Sequence, residues 1–189
     1  MRELTADIFI SLDGFASGVN QPPFFGYFGN DLNVWIKKNL DSPQMLIMGR
    51  VTYAALAQFA VDSTDELNVR MTALPKIVFS RTLPEPLAWK NTRLVKTPVE
   101  QDIARLKEEN GEPLRSIGSI SLVKSMIQFR LVDRLRLMIF PVVLGVAGRE
   151  FLYAGYETTN LDLIGSSVLD SRIVLLEYGL RKQNSRAFT

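Results

Sequence analysis

Three places in the chain set a hydroxyl beside a glycine, a guanidinium or both, each just after a short apolar run. Gly49-Arg50-Val51-Thr52-Tyr53 follows Met45–Met48. A glycine there lets a ligand approach the backbone, and free amides at a helix start attract phosphate. Arg50 offers a planar fork of donors, and Thr52 suits either a helix cap or a phosphate contact. Phe79-Ser80-Arg81-Thr82-Leu83 follows Lys76–Phe79. Ser80 and Arg81 fit a phosphate monoester such as the 2′-phosphate of NADPH; an ordinary loop before Pro84 is the other reading. Ile117-Gly118-Ser119-Ile120-Ser121 follows Leu114–Ile117. Gly118 and Ser119 suit the space beneath a pyrophosphate, or simple capping of the next helix.

Acid–base chemistry has few carriers. The chain has no histidine and no cysteine, which removes imidazole bases, thiolate nucleophiles, disulfides and His- or Cys-ligated metals; no metal is expected. Carboxylates, Lys, Tyr, Ser/Thr or a cofactor must supply any reaction. Asp13, in Ser11-Leu12-Asp13-Gly14, ends the first strand and is either a proton-managing carboxylate or a turn aspartate. Asp31 and Trp35 share one helix face and read equally as a helix cap and a core tryptophan. Phe24, Phe25, Tyr27 and Phe28 either cover a flat ring or pin their loop to the core. Tyr53 either meets a ligand or packs.

These residues need a scaffold. Leu4, Ala6, Ile8 and Ile10 alternate with polar residues, which predicts a strand. A long loop rich in glycine and proline follows, from Asp13 to about Asn30, of a length that is usually functional. Helices are predicted over 31–40, 52–59, 99–110 and 121–129. Strands are predicted over 45–48, 76–79, at Leu94 and Val95, and over 114–117 and 134–143. Residues 62–74 give no clear pattern. Strands over 162–167 and 172–180, joined by a turn near Asp170-Ser171, form an antiparallel pair. Alternating strands and helices imply an α/β fold with a mostly parallel sheet. Ligands of such sheets bind outside the carboxyl ends of the strands, where all three segments fall.

The length of 189 residues fits one domain, expected over 1–182, with a C-terminal tail over 183–189. With 22 basic against 20 acidic residues, the balance predicts no nucleic-acid partner. The apolar run from Leu137 to Gly148 is too short to span a bilayer and is broken by Pro141. No membrane partner, a cytoplasmic setting and a symmetric homodimer are expected.

Beyond these local readings, the chain resembles the dihydrofolate-reductase superfamily, and within it the reductase domain of the riboflavin-biosynthesis deaminase–reductase. The resemblance rests on Ser11-Leu12-Asp13-Gly14-Phe15, Met48-Gly49-Arg50-Val51-Thr52-Tyr53, Val78-Phe79-Ser80-Arg81-Thr82-Leu83, Gly118-Ser119, Leu131 to Leu137, Pro141-Val142-Val143-Leu144-Gly145 and Phe151. It implies a three-layer dihydrofolate-reductase-like fold and an NADPH-dependent reductase of a small heterocycle. That substrate would be a pterin or dihydrofolate, or a pyrimidine of the riboflavin pathway. An NADPH-binding protein without turnover is the alternative. By resemblance, Gly49, Arg50 and Thr52 contact phosphate, Ser80, Arg81 and Thr82 the 2′-phosphate, and Gly118 and Ser119 the pyrophosphate. Leu12, Asp13 and Gly14 lie near the nicotinamide, and Asp13 and Asp31 are the catalytic candidates. Phe25, Phe28, Trp35 and Tyr53 are the substrate candidates, since dihydrofolate reductases grip the pterin with an acid and an aromatic at the spacing of Asp31 and Trp35. The chain departs from both named enzymes: the loop over 19–29 lacks a Leu-Pro-Trp pattern, and the arginine-rich helix and Asp-x-Pro-x-Leu stretch of the riboflavin enzyme are missing.

Overall fold

The computed structural model describes residues 1–180; Arg181, Lys182, Arg186 and the expected tail over 183–189 lie outside them. One sheet of eight strands draws on almost the whole of this length. Strands β1 (Leu4–Ser11), β3 (Met45–Gly49), β4 (Lys76–Phe79), β5 (Thr92–Val95), β6 (Leu114–Ile117) and β7 (Arg134–Phe140) run parallel. Strands β9 (Leu161–Leu169) and β10 (Ile173–Leu180) close one side as an antiparallel pair. The order across the sheet is β5-β4-β3-β6-β1-β7-β10-β9. This is the mixed, mostly parallel α/β sheet that the alternating pattern predicts.

Helices cover both faces. On one, Ile103 and Leu106 of α4 (Val99–Glu108) and Leu122, Val123 and Met126 of α5 (Ile120–Gln128) pack on Leu4, Ala6, Ile8 and Ile10. On the other, Leu32 of α1 (Asn30–Leu40) meets Met138 and Phe140. Tyr53, Ala57 and Ala60 of α2 (Arg50–Ala60) meet Leu46, Met48 and Val78 there. The alternation in β1 suggests one wet face, yet Asp7 and Ser11 are as buried as the apolar residues between them. β1 is a central strand, and its polar side is covered by α1.

Asp7 is satisfied there by two arginines. Arg115 of β6 and Arg136 of β7 both donate to its carboxylate. Arg136 also reaches Asn39 Oδ1 at 2.7 Å, and Arg115 reaches Gln44 Oε1 at 3.4 Å. The Trp35 ring lies 5.5 Å from one guanidinium and 5.0 Å from the other.

Two elements differ from expectation. The long loop contains β2 (Phe15–Gly18), paired antiparallel with β8 (Gly148–Phe151). It also contains a short 3-10 turn at Pro23–Gly26, where Phe24 and Phe25 take left-handed φ values of 52° and 51°. Their rings hold that conformation: Phe24 lies 5.6 Å from Phe9 and Phe25 lies 5.4 Å from Phe140. The patternless stretch contains α3 (Glu66–Ala73), which buries no residue and so leaves no apolar stripe to read. Its ends are held instead. Asp65 accepts from the amides of Leu67 and Asn68. The buried Lys76 ammonium donates to the carbonyls of Met71, Thr72 and Leu74 at 3.1, 2.9 and 2.7 Å, with the Trp89 ring 4.8 Å away. None of the described helices is long and apolar enough to cross a membrane.

Burial lowers the Lys76 pKa from 10.5 to about 8. Above the unfolded value neither state carries the charge; as pH falls through about 8 the folded state must bury it. Stability therefore rises with pH from about 8, until the tyrosines reverse the trend. Burial raises the phenols of Tyr153 and Tyr156 above their ordinary 10.0, so above that pH the unfolded state loses protons first. Urea midpoints between pH 8 and 10 check the rise, which Lys76→Met abolishes. Asp7→Ala leaves the buried Arg115 and the mostly buried Arg136 guanidinium groups without an anion. It lowers unfolding free energy by about 3–5 kcal/mol, read from the same denaturation curves.

Candidate functional site

The carboxyl ends of the parallel strands form one edge of the molecule. Adjacent strands lie about 4.8 Å apart, so the three spacings from β4 to β1 cover roughly 14 Å. The segments singled out in the sequence follow consecutive strands along that edge. Ser80–Thr82 follow β4, Gly49–Tyr53 end β3 and begin α2, Gly118 and Ser119 follow β6, and Leu12–Gly14 follow β1.

In the middle of the edge, side chains tie two loops together. The Gly49 amide donates to Ser119 Oγ at 2.7 Å, and Ser119 Oγ donates to Thr52 Oγ1 at 2.6 Å. Gly118 and Ser119 are both left-handed, with φ of 58° and 61°. Consecutive left-handed or turn residues aim their amides into a common concavity suited to an anion. The Gly118 amide itself donates to the Asp7 carbonyl at 3.0 Å. Arg50 is exposed in the first turn of α2.

The helices divide into two groups by how they begin. α1 and α3 have capped N-termini: Asp170 accepts from the amides of Asp31 and Leu32 at 2.8 and 3.1 Å, and Asp65 serves α3. α2, α4 and α5 follow β3, β5 and β6, and their N-cap residues make no side-chain cap bond. Their first amides lie at the strand-end edge, and among the described residues no side chain caps them.

At the far end, beyond β4 and β5, lies a cavity of about 350 Å³. Ser80, Arg81, Lys96, Thr97, Val99 and Glu100 help to line it. Ser80 Oγ accepts from the amides of Thr82 and Leu83, both at 3.1 Å, and shares a hydrogen bond with Thr82 Oγ1 at 3.4 Å, which folds the 80–83 segment. Among the described residues no acid holds Arg81, whereas Lys96 pairs with Glu85 at 3.0 Å.

At the β1 end Asp13 is fully engaged. Its carboxylate accepts from Ser11 Oγ at 2.7 Å, from the Gly145 amide at 2.8 Å and from the Leu144 amide at 3.1 Å. Burial works to raise its pKa, but the bonds from Ser11, Gly145, Leu144 and its own amide hold it below the usual carboxylate value. Next to it, Gly14 has φ 87°, and a Cβ there would lie 2.5 Å from the Tyr153 ring. Leu12 is exposed.

The remaining candidates sit elsewhere. The Asp31 carboxylate accepts from the Asp170 amide at 2.8 Å, reciprocating the cap of α1. Trp35 covers the two buried arginines. Phe25 is buried, while Phe28 is exposed, 5.1 Å from Phe24. Tyr53 is buried and its hydroxyl accepts from the Trp89 amide at 3.4 Å. Sequence reasoning passed over Lys96, Thr97 and Glu100. The signal was a strand end followed by a helix start, as at Gly49–Tyr53 and Gly118–Ser119, but with Pro98 instead of a glycine. Ser11 and Leu144-Gly145 entered the sequence reading through the resemblance, and it is the fold that brings the Ser11 hydroxyl and the Leu144 and Gly145 amides to Asp13. Asp13→Ala removes the acceptor for those amides. Their hydrogen exchange accelerates roughly tenfold, the equivalent of about one lost hydrogen bond, while exchange at Leu137 and Met138 is unchanged.

Residues 2–175 match the family described as the RibD C-terminal domain. The chain is 26% identical over 182 residues to the uncharacterized protein YyaP of Bacillus subtilis, covering 94% of each. Its structure is similar to that of a pyrimidine reductase-like protein from Corynebacterium diphtheriae, with a TM-score of 0.67 at 15% identity over 96% of this chain and 93% of that one. It is also similar to a diaminohydroxyphosphoribosylaminopyrimidine deaminase/5-amino-6-(5-phosphoribosylamino)uracil reductase from Thermotoga maritima. There the TM-score is 0.66 at 14% identity, over 95% of this chain and 57% of the other. At such identities the structural likeness speaks for the fold, which is dihydrofolate-reductase-like. With the family match running from the second residue to the last strand, the chain belongs to the RibD C-terminal domain family.

Proposed function

We propose that this protein is an NADPH-dependent reductase of a small heterocycle, either a pterin- or dihydrofolate-like ring or a riboflavin-pathway pyrimidine. The observation that carries the reading is the order of groups along the strand-end edge. A cavity with an acid-free guanidinium, a left-handed glycine–serine turn between two uncapped helices, and an exposed β1 terminus follow one another over roughly 14 Å. An extended dinucleotide needs contacts in that order: a charged fork for a 2′-phosphate, amides for a pyrophosphate and a flat approach for the nicotinamide.

The residues present fit that cofactor. Ser80 and Arg81 would hold the 2′-phosphate, with the first amides of α4 beside them. Gly49, Arg50 and Thr52, with Gly118 and Ser119, would hold the pyrophosphate. Leu12 and Gly14 would flank the nicotinamide. Bound NADPH supplies a hydride. The chain's own task is to orient the substrate, exclude water and keep the strand-end loops fixed. Asp13, held ionised, stays an acceptor at neutral pH. It clamps Leu144 and Gly145 against the end of β1 and so shapes the reacting end of the site. Phe28, exposed beside Phe24, offers a ring face to a flat substrate.

One observation favours a second reading, a dinucleotide-binding protein without turnover. Both catalytic candidates, Asp13 and Asp31, already spend their carboxylates on backbone amides. Thermal unfolding and Trp35 and Trp89 fluorescence, followed during NADPH titration, test the cofactor site first. Saturable stabilisation is expected, reaching about 2.7 kcal/mol at a hundredfold excess over Kd. Arg50→Ala and Arg81→Ala each weaken binding roughly tenfold, the loss of one charge-assisted contact. No response at about millimolar NADPH removes both readings. Binding without oxidation of NADPH by any pterin or pyrimidine leaves the second.

A further inference from the structure

The cavity beyond β4 and β5 carries an acid for which a phosphate has no use. Glu100 lines it together with Arg81. Among the described residues its carboxylate accepts no hydrogen bond and pairs with no cation. The other cations nearby have acids of their own: Lys96 has Glu85 at 3.0 Å, and Arg105 has Asp102 at 2.6 Å. Glu100 stands in the first turn of α4, where a negative charge is favoured by the helix dipole. That alone does not account for it, since Asp102 fills the same role one turn position on, where Thr97 also donates to it.

The two dinucleotide cofactors differ at one place, the 2′ position of the adenosine ribose. A guanidinium suits the phosphate of one; a carboxylate accepts from the hydroxyl of the other and repels the phosphate. A pocket built for one form carries one of these groups. This cavity carries both, and neither is neutralised by a neighbour.

We propose that the cavity reads both dinucleotides: Arg81 takes the 2′-phosphate of NADPH, and Glu100 accepts from the free 2′-hydroxyl of NADH. The balance of this pair sets cofactor preference. The proposal rests on the cofactor site of the reductase reading and adds a specificity residue to it. Adjusting one charge shifts the preference without moving the backbone.

The test is binding, independent of turnover. Dissociation constants for NADPH and NADH, and for the adenosine-end probes 2′,5′-ADP and 5′-AMP, are measured by calorimetry on the wild type, Glu100→Gln and Arg81→Ala. The wild type binds NADPH and NADH within about tenfold of each other. Glu100→Gln tightens NADPH and 2′,5′-ADP about fivefold and weakens NADH and 5′-AMP by a similar factor, as expected for one charge acting across a solvated pocket. Arg81→Ala moves the ratio the other way, weakening NADPH and 2′,5′-ADP roughly tenfold while leaving NADH and 5′-AMP no weaker. An unchanged melting temperature in Glu100→Gln keeps the comparison to binding alone. If Glu100→Gln leaves the NADPH-to-NADH ratio as it was, or moves both ligands the same way, the proposal falls while the cofactor site stands. If the wild type binds neither dinucleotide, the site and the proposal fall together.

Discussion

A single carboxylate in the central strand ties this fold together. Asp7 sits on β1 with its side chain out of solvent, between an arginine from the strand on each side. One anion against two cations leaves positive charge in the interior, where an unpaired charge costs several kcal/mol. The surplus is spread over Asn39, Gln44 and the face of Trp35. Burial drives the Arg115 pKa down, Asp7 draws it back, and Arg136 adds to the fall. The same residue's carbonyl holds the Gly118 amide. The side chain of one residue thus links β6, β1 and β7, and its main chain anchors the turn at the middle of the candidate site.

Polar side chains here mostly serve the main chain. Asp13 holds two loop amides, Asp170 and Asp65 each cap a helix, Ser80 folds its own loop, and Ser119 clips the end of β3. The three helices at the strand-end edge are left without such service, so their amides stay free for a ligand. In a chain without histidine or cysteine, many of the polar side chains thus act by fixing backbone geometry.

The sequence made the glycine-marked strand ends legible because each is a local signal: an apolar run, a glycine, then a helix start. The strand order that lines them up is not local, and the resemblance rather than the pattern supplied it. Asp31 could be read as a helix cap or as half of a ligand grip, because its partner, Asp170, is 139 residues away. β2 was hidden for the same reason, since its pairing partner β8 lies in the last third of the chain. α3 was hidden because capping, not an apolar stripe, holds it. Asp7 looked like the wet side of a strand, because alternation cannot tell solvent from a covering helix that carries polar partners.

The contact between Asp170 and the start of α1 has a bearing on how the protein is made. A ribosome releases β1 first, but its two partners arrive only with residues 114–140. The cap of α1 arrives later still, in the final hairpin. Until those segments emerge the nascent chain carries a central strand unpaired and its first helix uncapped. Closing loops of this length is slow compared with forming local structure. The last hairpin acts as a latch, and the domain becomes one cooperative body only when its C-terminal strands come home to its N-terminal helix.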